Sequence, residues 1–120
     1  MKSFFFVFYL FSCSFFVAQN KGAINYTLYS TINKDELSSI YKSNATVIYD
    51  FDLRKITVVR NNKKEYYKIT SRIQQGFANN GEEFSEVLAT KGKDKFLVRL
   101  LSNRVMIIRM ISRTGLVLYN

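Results

Sequence analysis

The chain has 120 residues, with 18 basic and 9 acidic side chains and a formal net charge of +9, and it contains no His, Trp or Pro and a single Cys. A length of this order is typical of one domain. The lack of His excludes a histidine general base, a Ser–His or Cys–His nucleophile and an imidazole metal ligand. One Cys closes no disulfide within the chain and supplies no thiolate zinc cage. We therefore expect no catalytic residue, no cofactor and no metal site.

The N-terminal segment, residues 1–19, is predicted to be a secretory signal peptide. Seven of the eleven Phe lie in its first 16 residues, Lys2 forms a positive n-region, and Val17-Ala18-Gln19 ends the apolar run. A membrane-spanning helix needs roughly 20 apolar residues, whereas this run is shorter and contains Ser12-Cys13-Ser14. We expect a secreted or periplasmic protein with no transmembrane span after cleavage, and a single β-rich domain over residues 20–120.

Cys13 gives the leader an alternative interpretation. The sequence Leu10-Phe11-Ser12-Cys13 resembles the lipobox of bacterial lipoproteins, in which the Cys is lipidated and becomes the mature N-terminus. Small Ser12 fits that pattern, but bulky Phe11 and the apolar residues after Cys13 do not. The alternative localisation is therefore a lipid anchor in the envelope through Cys13.

Apolar side chains alternate with polar ones in segments separated by turn residues, which predicts an antiparallel β-meander of about seven to eight strands. Asn61-Asn62 and Asn79-Asn80-Gly81 are typical of the tight turns that join such strands. The predicted strands cover residues 24–28, 46–53, 56–60, 66–73, 84–88, 96–101, 105–111 and 116–119.

One segment after the first strand departs from the alternation. Asn33 can cap a helix and Glu36 follows it three residues later. Leu37, Ile40 and Tyr41 then have helical spacing. A short amphipathic helix is therefore predicted between the first and second strands.

The last strands are apolar on both parities, as at Leu97-Val98 and Ile107-Ile108, which indicates cover on both faces of the sheet. A small barrel or a strongly rolled sheet supplies such cover and also removes exposed edges. We predict a mainly β fold, an antiparallel meander that forms a small barrel or rolled sheet, with one short helix after the first strand.

A cluster of basic residues in the central strands is the candidate contact surface for a polyanion or an anionic lipid. Tyr66 is predicted to share a face with two of them, and cations beside an aromatic ring can hold a phosphate backbone and stack a base. A nucleic-acid partner is nevertheless not expected, because the chain is predicted to be secreted and carries no nucleic-acid-binding motif. The candidate residues are Arg60, Lys63, Lys64, Lys68 and Arg72.

Arg99 and Arg109 differ from the other basic residues because each lies inside an otherwise apolar strand. An Arg that points into a barrel is costly unless it is paired, and it could bind the carboxylate or phosphate of an amphiphile. An Arg that points outward could lay its aliphatic stem over apolar neighbours. The sequence leaves both orientations open.

The segment Tyr49-Asp50-Phe51-Asp52 that leads into Ile56-Thr57-Val58 resembles the hairpins of lipocalin-like proteins. The layout of a leader and a meander of about 100 residues is similar to that of small secreted β-meander proteins of Gram-negative bacteria. The chain has no Trp and therefore lacks the glycine–tryptophan signature of true lipocalins. The resemblance implies no functional residues here.

Two classes of function are compatible with these features, and neither is catalytic. The first is a structural or interaction module of the envelope, which docks an unknown protein partner through a basic face or a sheet edge. The alternatives are a lipocalin-like binder of an apolar or anionic amphipathic ligand and a surface binder of polyanions or anionic lipids. A cavity lined by residues such as Phe96, Val98 and Ile107 would favour the lipocalin-like binder, and a solid core would favour the module.

The leader assignment predicts the mass of the mature protein. Protein purified from its own host should have the mass of a chain that begins near Asn20, because signal peptidase removes the apolar segment. Intact-protein mass spectrometry measures this directly. A diacylglycerol adduct on a chain beginning at Cys13 would contradict the assignment and place the protein on a membrane.

Overall fold

The structure, a computed structural model, describes residues 21–120. The predicted signal peptide and Cys13 lie outside the described residues. Within residues 21–120, no helix is long and apolar enough to cross a bilayer. The described part contains ten strands and no helix. The strands are β1 (Lys21–Asn33), β2 (Glu36–Leu37), β3 (Tyr41–Asp50), β4 (Lys55–Arg60), β5 (Lys63–Ile69), β6 (Gln74–Phe77), β7 (Glu83–Lys91), β8 (Asp94–Leu100), β9 (Arg104–Arg109) and β10 (Thr114–Tyr119).

Eight strands form a closed antiparallel barrel in the order β1, β3, β4, β5, β7, β8, β9, β10. The last and first strands close it, because β10 pairs with β1 from Leu28 opposite Tyr119 to Asn33 opposite Thr114. Two short strands lie outside the ring, with β2 paired to β1 and β6 paired to β7. The predicted mainly β meander and small barrel are confirmed, and pairing of β1 with β10 distinguishes the barrel from an open rolled sheet.

Alternate residues of each strand point inward and fill the middle of the barrel. Val47, Ile56, Val98, Val105 and Leu118 come from five different strands, and each has 0% of its surface exposed. Full burial of a side chain of this size contributes about 1.5–3 kcal/mol relative to an exposed one. The barrel therefore has a packed core, not an open channel.

In β8 and β9, the apolar residues that alternate with the inward-facing ones lie on the outer face of the barrel. Leu97 and Ile108 are cross-strand partners on the outer face, and both are half-buried. Their neighbours Val98 and Ile107 face the interior and are buried. The outer face is therefore only partly covered around Leu97 and Ile108, whereas Val117 of β10, which also lies on the outer face, is buried.

The turn at Asn61-Asn62 forms as predicted. Arg60 is opposite Lys63, so the loop has two residues, and both Asn have left-handed φ angles, of 54° and 64°. Such two-residue turns match the right-handed twist of the strands they join. Asn tolerates this conformation because its short side chain avoids the steric cost that a bulkier residue meets.

The predicted helix after the first strand is wrong, and a β-hairpin takes its place. Lys34 and Asp35 have φ angles of 51° and 73°, which form a two-residue turn between β1 and β2. The returning chain then pairs with β1, where the Ser38 N–H donates to the Thr31 carbonyl at 2.9 Å. A helix of two turns is marginal in water, whereas the hairpin satisfies backbone groups of β1. The structure therefore favours pairing over local helical spacing.

Gly115 in β10 gives a test of this packing. A Cβ atom at this position would meet the Ile107 carbonyl oxygen and would lie 2.9 Å from the Ile108 Cα, and both are backbone atoms that cannot rotate away. We expect Gly115→Ala to lower the free energy of unfolding by about 1–3 kcal/mol, the usual cost of overpacking. Urea denaturation measures it.

Gly22→Ala is the matched control for Gly115→Ala. A Cβ at Gly22 would meet only the flexible tip of the Tyr49 side chain, at 2.8 Å from its hydroxyl oxygen. This ring can move, so the control should lose less stability. Equal losses in the two variants would contradict the tight packing of β10 on β9.

Candidate functional site

The inward-facing side chains change from apolar to polar at one end of the barrel. On β5 the inward residues run from Ile69 through Tyr67 to Glu65, and on β4 Val58 is followed by Arg60. The two-residue turns at 34–35 and 61–62 and the β7–β8 and β9–β10 turns all lie at this end. We call this end the mouth. The polar residues that line its main cavity are Thr31, Asn33, Arg60, Glu65, Lys91, Arg109 and Thr114.

A cavity of about 440 Å³ occupies the mouth. Its floor is apolar and consists of Tyr67, Phe96, Ile107 and Leu116, of which the first three are 5%, 6% and 3% exposed. A second hollow of about 230 Å³ adjoins it and shares Arg60 and Glu65 with it. The mouth therefore combines an apolar floor with a charged rim, whereas the barrel below it is filled.

Three cations line the cavity, and each of them lies near the ring of an inward-facing aromatic residue. A cation within about 6 Å of a ring centroid is attracted to the negative face of the ring. These contacts hold the long basic side chains in the mouth without neutralising them. The distances to the ring centroid are 5.4 Å for Arg60 and Tyr29, 5.8 Å for Lys91 and Tyr67, and 5.4 Å for Arg109 and Phe96.

Among residues 21–120, Glu65 is the one acidic residue that lines the cavity. It accepts a hydrogen bond from Lys91 Nζ at 2.9 Å and a long one from the Tyr67 hydroxyl at 3.4 Å. The hydrogen bond from Lys91 is the main cause that lowers the pKa of Glu65 below its usual range, and the charge of Arg60 adds to it. Glu65 is therefore ionised at neutral pH.

The other two cations of the mouth are less neutralised than Lys91. Arg109 lies 3.5 Å from Asp94 at the rim, where both side chains are about half exposed. Arg60 forms no ion pair within 4.0 Å among the residues that the structure describes. The cavity thus has three positive groups and one negative group on its walls, and its field attracts anions.

The barrel splits the predicted polyanion-contact residues between its two faces. Arg60 and Lys63 face inward at the mouth, whereas Lys64 and Lys68 point outward from β5. Arg72 is exposed in the link between β5 and β6, because the predicted strand over residues 66–73 ends at Ile69. The five residues therefore do not form one continuous surface.

Arg99 and Arg109, whose orientation the sequence leaves open, lie on opposite faces of the barrel wall. Arg109 lies on the inner face of β9 and reaches the cavity. Arg99 lies on the outer face of β8, with its NH2 group 2.7 Å from Glu86 and its guanidinium 4.1 Å from the centre of the Phe84 ring. Arg109 is thus an inward arginine of the kind that could bind an anionic head group.

Glu65 and Lys91 are functional residues that the sequence reasoning missed. Glu65 has the same parity as Tyr67 and Ile69, so its inward orientation could have been read from the alternation. Lys91 directly precedes the turn at Gly92, and its contact with Glu65 depends on the pairing of β5 with β7. No local pattern carries that pairing, because these strands are separated by β6.

The acidic side chains that the structure describes form no cluster that could bind a metal ion. Within residues 21–120, no three His, Cys, Asp or Glu side chains are arranged to hold a metal ion. The Asp50 carboxylate instead accepts a hydrogen bond from the Leu53 N–H at 3.0 Å and stabilises the β3–β4 turn.

Comparisons with protein-family models, curated proteins and solved structures gave no match. The function proposed below is therefore based on the geometry of the mouth.

The tyrosines buried in the barrel give a pH-dependent prediction. Burial, followed by the charge and hydrogen bond of Glu65, raises the pKa of Tyr67 to about 12, and burial with the nearby Tyr49 raises that of Tyr26 to about 12. The fold favours the neutral phenols, so their contribution to stability is complete below pH 10, the ordinary tyrosine value, and is lost as the pH rises towards 12.

An ultraviolet pH titration measures the ionisation of these phenols. It should show two phenols that ionise near pH 12, and Tyr67→Phe should remove one of them. Exposed Tyr66 is the matched control, and Tyr66→Phe should leave both of these late-ionising phenols in place. Persistence of both late-ionising phenols in Tyr67→Phe would contradict the burial of Tyr67 beneath the mouth.

Proposed function

We propose that this chain is a small, non-catalytic, secreted or periplasmic binding protein that holds an amphipathic anion in the mouth of its barrel. The observation that carries the proposal is the convergence of Arg60, Lys91 and Arg109 above an apolar floor in one open cavity. An anionic head would meet the cations, and an attached apolar group would cover the floor. The open cavity, which Phe96 and Ile107 line, favours the lipocalin-like alternative, whereas the packed core around Val98 is the feature expected of an interaction module.

The size of the cavity supports a small ligand. Its volume of about 440 Å³ falls within the range of about 300–1,000 Å³ that is usual for small-molecule sites. Val98 and Leu118 below it are fully buried, so the apolar part of a ligand has no path into the barrel. A compact apolar group, such as a short chain or one aromatic ring, suits this space.

The donors of the mouth suit a carboxylate, sulfonate or phosphate head group. Arg60 and Arg109 present planar guanidinium groups, which donate paired hydrogen bonds to such oxyanions. Tyr67 adds a hydroxyl donor, because its raised pKa keeps it protonated at neutral pH. Arg109 is about half exposed, so binding requires little extra desolvation of this cation.

The same arrangement supports binding without catalysis. The Lys91 ammonium is held by Glu65, and Tyr67 stays protonated, so the cavity lacks a nucleophile activated by a neighbouring base. The envelope interaction module and the surface binder of polyanions or anionic lipids remain alternative proposals. The outward-facing Lys64 and Lys68 are the residues available to them.

The two arginines of opposite orientation make a matched test. Octanesulfonate serves as the probe, because it is anionic at all working pH values and has a short apolar chain. We expect Arg109→Gln to weaken its binding about tenfold or more, since a charge-assisted hydrogen bond contributes about 1.5–3 kcal/mol. Arg99→Gln removes the same charge outside the barrel and should leave the affinity unchanged. Isothermal titration calorimetry measures both.

Two results would overturn the proposal. Equal weakening by the two substitutions would indicate attraction to net charge and not to the mouth. Absence of binding to the unsubstituted protein at millimolar probe would remove the amphiphile-binding function and leave the interaction module as the favoured reading.

A further inference from the structure

We infer that the Glu65 carboxylate occupies the position that the anionic group of the ligand takes on binding. The natural ligand is then a compact carboxylate or similar monoanion that displaces Glu65 from Lys91. This inference rests on the proposed function and names the class of ligand that the same cavity would take. It also makes Glu65 a determinant of affinity in a site otherwise built from cations.

The position of Glu65 supports this role. Its two carboxylate oxygens contact Lys91 Nζ at 2.9 Å and the Tyr67 hydroxyl at 3.4 Å, which are donors of the cavity wall and floor. Arg60 lines the same cavity and the adjoining hollow as Glu65. A carboxylate of the protein thus already occupies the place where the cations converge.

The other paired glutamates of the barrel do not share this position. Glu86 pairs with Arg99, and Glu82 pairs with Arg104, both away from the cavity lining. These pairs are also less exposed, with carboxylate side chains 22% and 20% accessible against 45% for Glu65. Glu65 is therefore the most readily exchanged of the three carboxylates.

Exposure makes the exchange energetically feasible. The Lys91 and Glu65 side chains are 39% and 45% accessible, so water screens their attraction. An ion pair in such surroundings contributes little net stability, whereas removing one partner from a fully buried pair is strongly destabilising. An incoming anion can therefore replace Glu65 at Lys91 while Glu65 turns towards solvent.

The exchange also defines the chemistry of the ligand. A monoanion that replaces the Glu65 carboxylate leaves the number of charges around Lys91 unchanged. Its head must be as compact as a carboxylate, because it enters the space between Lys91 and Tyr67. Its apolar part lies over Phe96 and Ile107. Short-chain or aromatic carboxylates and sulfonates meet these requirements.

Glu65→Gln tests the inference with octanesulfonate as the probe. The substitution keeps the size of the side chain and removes the competing charge, so we expect the probe to bind about two- to fivefold more tightly than to the unsubstituted protein, since an exposed ion pair contributes little. Glu86→Gln is the matched control, because it removes one negative charge and one arginine pair on the outer face. It should leave the affinity unchanged. Circular dichroism melts verify that both variants are folded.

The outcomes separate this inference from the proposed function. Equal affinity of Glu65→Gln and the unsubstituted protein would overturn the inference and leave the amphiphile-binding function standing. Tighter binding by both glutamine variants would also overturn it, because net charge would then be the cause. No binding by any variant would overturn both. Tighter binding by Glu65→Gln alone supports the inference.

A pH series on the unsubstituted protein gives a second measurement. Because the folded-state pKa of Glu65 lies below 4.5, its carboxylate is protonated only in acid, and the sulfonate should then bind more tightly. The rise should be smaller in the Glu65→Gln variant. A rise of equal size in both proteins would contradict the role of Glu65. The groups that face Glu65 and its partners are Arg60, Lys63, Tyr67, Lys91 and Arg109.

Discussion

The structure depends on the pairing of β10 with β1, which turns a meander into a closed barrel. Closure gives each of the eight strands a neighbour on both sides over part of its length. It also assigns one parity of every strand to an interior from which water is excluded. Burial of that parity is the main stabilising contribution, because apolar burial dominates folding. The long β1 makes closure possible, since its 13 residues reach β2, β3 and β10.

The mouth follows from the same closure. Near one end of the barrel, the inward-facing residues of several strands change from apolar to charged, for example from Val58 to Arg60 and from Ile107 to Arg109. In an open sheet these cations would be scattered along one surface. In a ring they converge, and their mutual repulsion is tolerated because water, aromatic rings and Glu65 surround them. The polar end of the barrel is therefore both the limit of the core and the site of the proposed binding surface.

Much of this fold could be predicted from the sequence, because strand alternation and turn chemistry are local properties. The Asn61-Asn62 turn and the packed inward parity at Val98 are examples. The prediction of a helix after the first strand was wrong because it relied on the spacing of the apolar residues alone. That spacing does not show that an edge of β1 is available for pairing. The mouth was predicted only in part, since Arg109 was identified while Glu65 and Lys91 were not. Their contact requires the register of β5 on β7, which no local pattern contains.

The filled interior also limits how tightly such a barrel can hold a ligand. A molecule confined to the mouth has about ten non-hydrogen atoms, and at about 0.5 kcal/mol per atom its binding free energy is about −5 kcal/mol. This corresponds to a dissociation constant of about 0.2 mM. Displacement of Glu65 would lower the affinity further, because the ligand must replace an existing contact of Lys91. A barrel of this design is suited to reversible exchange with an abundant small anion, and not to scavenging a scarce one.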